Sequence, residues 1–324
     1  MPHFKTLARS LACCGVLAIA HTASAQAAGD PAGVRAAGMG DAFVAVADDA
    51  SAVYWNPAGL ASGAYFSLVL DRNALQSTPS AGDPAFRQSA LLFAAAMPAL
   101  GLSYYRTHEV SAIPEAHRLT SLITHNAGVT LVQSLGGAVA VGTTLRVVRG
   151  VAGIATVADA TTPDALDRAS DVAGAGRTKF DADLGVMATG GAIHVGLTIR
   201  NLLRPAFPLQ EDANESVRPS RQVRAGLSFS ASRDWTVAVD ADLTKRDAPA
   251  GPWRDAAIGA EGHIASRAWI RGGVRWNTAG SAAAPAASLG ASLRLTESLL
   301  IDAQATAGSA AAGRGWGIGT RVMF

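Results

Sequence analysis

The carboxylates Asp181, Asp183, Asp240, Asp242, Glu261 and Asp302 fall inside apolar runs rather than in polar loops. Asp-x-Asp spacing puts both members of a pair on one side of an extended chain, and paired carboxylates can do general acid–base work. Arg146, Arg200, Arg224, Arg271, Arg275, Arg294 and Arg321 occupy the same kind of position. Carboxylates and guanidiniums interleaved on one face neutralise each other, and such ion networks mimic catalytic sites. The reading taken is a lumen lined by both signs, its inward charges pairing across strands, with no catalytic residue and no enzymatic activity assigned. His108, His117, His125, His194 and His263 form no pair at metal-ligand spacing. Gly38-x-Gly40 lacks the third glycine and the preceding strand of a dinucleotide loop, and no Gly-x-Ser-x-Gly elbow occurs. No cofactor or metal is expected.

Interleaved charges need elements that hold them apart from lipid or core, and the pattern around them is alternation. Trp235, Val237, Val239, Ala241 and Leu243 share one face, with Thr236, Ala238, Asp240, Asp242 and Thr244 on the other. Lys179 to Ala188 puts Phe180, Ala182, Leu184 and Val186 on the apolar side and Lys179, Asp181, Asp183 and Gly185 opposite. Val223, Ala225, Leu227 and Phe229 alternate with Arg224; Ile270, Val274 and Trp276 alternate with Arg271 and Arg275. Trp316, Ile318, Thr320, Val322 and Phe324 alternate with Gly317, Gly319 and Arg321. Strand glycines at 259, 272, 273, 290, 317 and 319 allow bending or close backbone approach.

Hydrophobic residues make up 49% of the chain and charged residues only 16%, yet past the N-terminus no run of about 18 apolar residues exists. A lipid-embedded reading must then use a closed barrel, because only a barrel or a helix satisfies every backbone N–H and C=O in hydrocarbon. The pattern predicts about fourteen strands, an even number as in bacterial barrels. They lie near 63–72, 87–97, 99–108, 118–134, 137–149, 177–189, 191–203, 220–231, 233–244, 254–264, 266–277, 286–295, 298–308 and 313–324. Connections alternate between short turns and longer loops, the asymmetry of periplasmic and extracellular ends. The longest, 150–176, reads as a flexible surface loop.

Lys5 and Arg9, the apolar stretch Leu11 to Ala20 and the small-residue site Ala23-Ser24-Ala25 read as a cleaved secretory signal over 1–25. Cys13 and Cys14 lie within it, so the exported chain has no thiol chemistry. The barrel is assigned to 63–324, placed in the outer membrane, with lipid and the barrel-assembly machinery as partners. Phe324 is read as the C-terminal assembly signal. A net charge of +2 gives no basic field for nucleic acid.

The segment 26–62 breaks the alternation and carries Tyr54 and Trp55, which must be buried against something. Asp48-Asp49 is expected to cap a short helix over Ala50 to Trp55, stopped by Pro57. Gly38-Met39-Gly40-Asp41-Ala42-Phe43, Asp48-Asp49-Ala50-Ser51 and Asn56-Pro57-Ala58-Gly59-Leu60 resemble the N-terminal signature of the FadL superfamily, closest to its PorV/TraF-like branch. Asn201-Leu202-Leu203-Arg204-Pro205, Val223-Arg224-Ala225-Gly226 and Val239 to Thr244 are similar to further segments of that branch. The resemblance implies an all-β, up-and-down, fourteen-stranded transmembrane barrel with a hatch in its lumen. Asn56, Pro57, Ala58 and Gly59 would be the hatch motif, and Tyr54 and Trp55 its packing. It further implies passive transport of small hydrophobic compounds such as fatty acids. The alternative is an accessory role in secretion or conjugal transfer, by docking partners. The chain is shorter than FadL, so no ligand-binding residue is carried over.

Overall fold

A computed structural model describes residues 30, 32–77, 82–161, 164–209, 215–232, 234–280 and 283–324. The expected export signal, with Cys13 and Cys14, lies outside the described residues. Fourteen antiparallel strands close into one barrel. In chain order they are β1 Ser67–Gln76, β2 Ala85–Met97, β3 Leu100–Ile113, β4 Arg118–Leu135, β5 Val139–Thr156, β6 Ala175–Gly190 and β7 Ile193–Arg200. The second half comprises β8 Gln222–Ser230, β9 Trp235–Asp242, β10 Asp255–Ala265, β11 Ala268–Asn277, β12 Ala286–Arg294, β13 Leu299–Gly308 and β14 Arg314–Met323. Each strand pairs with its chain neighbour, and β1 closes on β14 from Ser67↔Met323 to Gln76↔Arg314. At that closure Phe324 N–H donates to the Phe66 carbonyl at 3.0 Å.

The strands form because apolar and polar residues alternate with the pleat, and the burial alternates with them: along β13 every second residue from Leu300 to Thr306 is buried. The outward set is apolar and open. Leu289 and Phe180 are each 72% exposed, along with Leu131, Leu145, Val195, Phe229, Val237 and Ile318. A band of this extent is a lipid-facing surface, not the outside of a protein in water. Among the described residues no helix is long and apolar enough to cross a membrane; the strands cross it.

Several boundaries differ from the sequence reading. The first strand starts at Ser67 rather than 63, because a 3-10 turn over Pro57–Ser62 and the bend after it consume the preceding residues. β3 runs to Ile113, so the expected 109–117 loop shrinks to a tight turn ending at His117 in the left-handed region. β5 runs to Thr156, and the long connection after it holds a short helix, Ala165–Ser170. Ala165, Leu166 and Ala169 bury against Val110, Ala112 and Leu119, so this connection is a docked flap on the outer face of the extended strands. Two other long connections carry two-stranded ribbons, Phe207–Pro208 with Ser216–Val217 and Arg246–Ala248 with Gly251–Trp253. Long connections gather at one end of the barrel, the extracellular end by the usual asymmetry.

Candidate functional site

The lumen is filled by the chain ahead of β1. It contains α1 Val34–Gly38, α2 Ala52–Trp55 and the 3-10 turn Pro57–Ser62. Met39, Ala42, Phe43, Val44, Val53, Tyr54, Trp55 and Leu60 form one buried cluster with Val69, Leu92, Ala94 and Tyr105 of the wall. Tyr54 and Trp55 lie at its centre. Tyr54 packs edge-on against Tyr105 with ring centroids 5.4 Å apart, and Trp55 packs against Phe43 at 5.9 Å. The Trp55 ring N–H is satisfied by the Ala32 carbonyl at 3.0 Å. The expected cap differs in detail. Asp49 Oδ1 accepts from the Ser51 N–H at 2.9 Å and so builds a turn, and the helix begins three residues after it.

Asn56 and Pro57 are where this hatch meets the wall most closely. The Asn56 Nδ2 donates to the carbonyls of Val44 at 3.0 Å and Val186 at 3.1 Å, and its Oδ1 accepts from Ala58 N–H at 3.2 Å. The wall opposite carries Gly185 and Gly142, where an added Cβ would collide with Asn56 and Pro57. Ala58 is fully buried, and Gly59 lies against the Ala47 carbonyl with no room for a side chain. Gly259 and Gly273 receive the Met39 carbonyl in the same way, and Gly290 meets Gly38. Gly317 and Gly319 make room for the side chains of Asn73 and Asp71 within the wall. Gly272 does not face the hatch; a Cβ there would make ordinary contact with Leu289. Gly40 needs its residue type twice over, having a φ of +65° and the Gly273 backbone against it.

Most of the charges assigned to the lumen are buried and paired, and the hatch supplies partners that strand periodicity does not reveal. Arg35 pairs with Glu261 at 2.6 Å and Asp49 at 3.0 Å; Asp49 pairs with Arg321 at 3.1 Å. Arg321 pairs with Asp302 at 3.0 Å, Asp302 with Arg271 at 3.2 Å, and Arg271 with Glu261 at 2.9 Å. The pairs close into a ring of alternating sign across hatch and wall. A second cluster joins Asp30 to Arg200 at 2.5 Å and Arg224 at 2.9 Å, with Arg224 on Asp242 at 2.6 Å. Arg246 continues it through Asp255 at 2.7 Å. A third holds Arg146 between Asp181 at 2.7 Å and Asp183 at 2.8 Å, while Arg275 faces Asp41 at 3.4 Å. Asp240 stands apart. Its Oδ2 accepts the backbone N–H groups of Phe43 and Val44, each at 2.8 Å, so it pins a hatch bend. Arg294 is half-exposed over the Trp269 ring at 4.6 Å and joins none of these clusters.

Burial would raise the Asp49 carboxyl, but the charges of Arg35 and Arg321 outweigh it and hold the group below the usual carboxylate range. Asp41, where burial outweighs Arg275, is pushed up to about 6. These carboxylates accept from guanidiniums and backbone N–H groups and, at Asp49 and Asp302, from the hydroxyls of Ser51 and Ser292. Among the described residues no group of three or more potential ligands could hold a metal ion.

The hatch divides the remaining space. On the long-loop side a cavity of about 60 Å³ lies between Tyr54, Tyr105, Arg146 and Arg200 below and Leu122, Val148, Pro205 and Val217 above. The ribbon of Phe207–Pro208 and Ser216–Val217 lies over it, with Phe207, Leu209 and Val217 buried beside Leu122 and Val148. On the short-turn side a cavity of about 220 Å³ is bounded by Arg35, Glu261, Trp269 and Arg294. A narrow polar seam of about 30 Å³ runs between the hatch at Ala37 and Asp41 and the wall at Asn73, Gln88 and Gln304.

Fold and interior together define a membrane-spanning β-barrel closed by its own N-terminal hatch. This is the fold of FadL-type outer-membrane channels. The CymD monoaromatic hydrocarbon channel superposes with a TM-score of 0.64 at 14% identity, over 91% of this chain and 98% of that one. The Ralstonia pickettii toluene transporter TbuX gives 0.60 at 12%, over 91% and 98%. A Pseudomonas aeruginosa FadL homologue gives 0.63 at 10%, over 92% and 99%. At these identities the likeness is one of fold. Residues 116–242 match the family model described as F plasmid transfer operon, TraF, protein. No curated protein matches the chain.

Proposed function

We propose that the chain is a passive outer-membrane transporter for compact hydrophobic compounds. The observation that carries this reading is the roofed cavity above the hatch. Leu122, Val148, Pro205 and Val217 give its upper wall apolar surface, Tyr54 and Tyr105 share its floor with Arg146 and Arg200, and a separate polar seam lies between hatch and wall. A lumen blocked by a packed segment excludes free diffusion, while a guided ligand needs only local shifts. At about 60 Å³ the cavity is smaller than the roughly 150 Å³ that admits benzene in an engineered core. Entry therefore requires the paired residues Phe207–Pro208 and Ser216–Val217 to shift from Leu122 and Val148. Transport of toluene or monoaromatic hydrocarbons by proteins of the same fold supports a compact solute; long-chain fatty acids are the longer candidates in the same class. Residues 26–62 would act as the hatch and 63–324 as the conducting wall.

The test is solute uptake into proteoliposomes. Entry of toluene or a fatty acid above protein-free vesicles, with sucrose excluded, is the expected result. Equal leakage of sucrose and hydrocarbon would reject the proposal. A second reading, an accessory role in conjugal transfer or secretion, draws on the TraF match over 116–242. It requires recovery of a stable partner from native membranes together with no selective uptake.

A further inference from the structure

The outer face of the barrel carries one feature that transport does not use. Arg106 of β3 stands directly opposite His125 of β4, and His125 directly opposite Arg149 of β5. All three point outward in one contiguous row about two interstrand spacings of roughly 4.8 Å wide, with the two guanidiniums flanking the imidazole. The row continues through Leu91 to Arg72 of β1. The Tyr104 hydroxyl lies 2.8 Å from His125 Nδ1 and holds that ring in the row. Among the described residues Arg72, Arg106 and Arg149 have no carboxylate partner, whereas Arg87, nearer the extracellular end, is paired with Asp167 at 2.7 Å.

The level of the row is set by its neighbours. The registered row beneath it is Leu70, Phe93, Tyr104, Ala127, Val147 and Phe180, an uninterrupted lipid-facing line. Above it the outer face passes under the flap, where Val110, Leu119 and Ser121 are buried. The basic row therefore marks the upper edge of the hydrocarbon, where unpaired guanidiniums meet headgroups. Guanidiniums bind phosphate through paired N–H donors, and long basic side chains reach from apolar stems to such a layer.

We propose that Arg106, His125 and Arg149, flanked by Arg72, form a binding site for the phosphate of an anionic outer-leaflet lipid, specifically a phosphorylated glycolipid. The site anchors the barrel at a fixed depth below the flap.

The experiment is lipid retention by the full detergent-solubilised chain, read by native mass spectrometry. The probes are bisphosphorylated lipid A, fully dephosphorylated lipid A and inorganic phosphate. Retention of the phosphorylated form about tenfold above the dephosphorylated form is expected, falling with added salt. Arg106→Gln with Arg149→Gln should remove that difference while the barrel still migrates as a folded, heat-modifiable species. Equal retention of the two lipids by the unaltered chain would overturn the site. So would displacement of the lipid by inorganic phosphate at equal concentration, which would make it a free-anion site. If the double variant fails to fold, the two-lipid comparison on the unaltered chain decides alone.

Discussion

Asp240 illustrates how single residues divide their work in this lumen. Its position on an alternating strand was readable, and with it the inward direction of Asp181, Asp183, Arg224, Asp242, Glu261, Arg271, Arg275 and Arg321. Its task was not, because two backbone N–H groups about 200 residues away leave no mark in the local pattern. Asp240→Ala strands both donors and should weaken hatch docking by about 2–4 kcal/mol; Asp240→Asn, which keeps an acceptor, should cost less than half of that. Hydrogen exchange at Phe43 and Val44 reads the difference.

Asp41 and Asp49 lend the hatch an opposed pH dependence. Asp41 binds its proton more tightly when folded, so its contribution improves as pH falls from about 6 to its ordinary 3.8. Asp49 titrates below that ordinary value when folded, so the stability it contributes is full above it and is lost as pH falls through the folded value. Thermal unfolding in detergent should show no loss between pH 7 and 5 from these two groups and a decline in stronger acid. Asp49→Asn should bring part of that decline to neutral pH.

At the level of elements, strands were legible and the hatch was legible only in outline. A strand announces itself by a two-residue period; a segment buried on all sides has no period to show. Tyr54 and Trp55 demanded burial, but Arg35 gave no signal beyond being a charge inside an apolar stretch, and Asp49 read as a helix cap rather than as an ion partner. The glycines carried more than bending. Gly142 and Gly185 take the Asn56-Pro57 corner, which no strand-level argument locates. Gly185→Ala should displace that corner and expose the hatch to protease while leaving the barrel heat-modifiable. The mouth ribbon was also invisible, because Phe207 and Val217 flank a stretch that reads as an ordinary loop. Phe207→Ala removes the ring that fills the space over Gly150. A buried Phe→Ala change costs about 3–5 kcal/mol where the site cannot collapse. Here the loss falls on the ribbon, so faster hydrocarbon uptake with unchanged sucrose exclusion is expected.

For the whole molecule, the barrel fixes what the hatch can do. Closure through β1 and β14 removes free sheet edges, and the lipid-facing band leaves the lumen as the place for charge. The ring of Arg35, Asp49, Arg321, Asp302, Arg271 and Glu261 then couples the hatch to β10, β11, β13 and β14 on one side of that closure, and Asp71 of β1 accepts the Val34 N–H at 2.8 Å on the other. Breaking a buried pair by removing one partner costs about 3–5 kcal/mol, since the other charge is left without compensation. The most direct test of a lumen closed by this coupling is ion conductance of the purified chain in planar bilayers. The unaltered chain should show no steady open-pore current, and Arg35→Gln should add frequent openings. A constant ohmic pore in the unaltered chain, unchanged by Arg35→Gln, would contradict the closed, hatch-gated barrel.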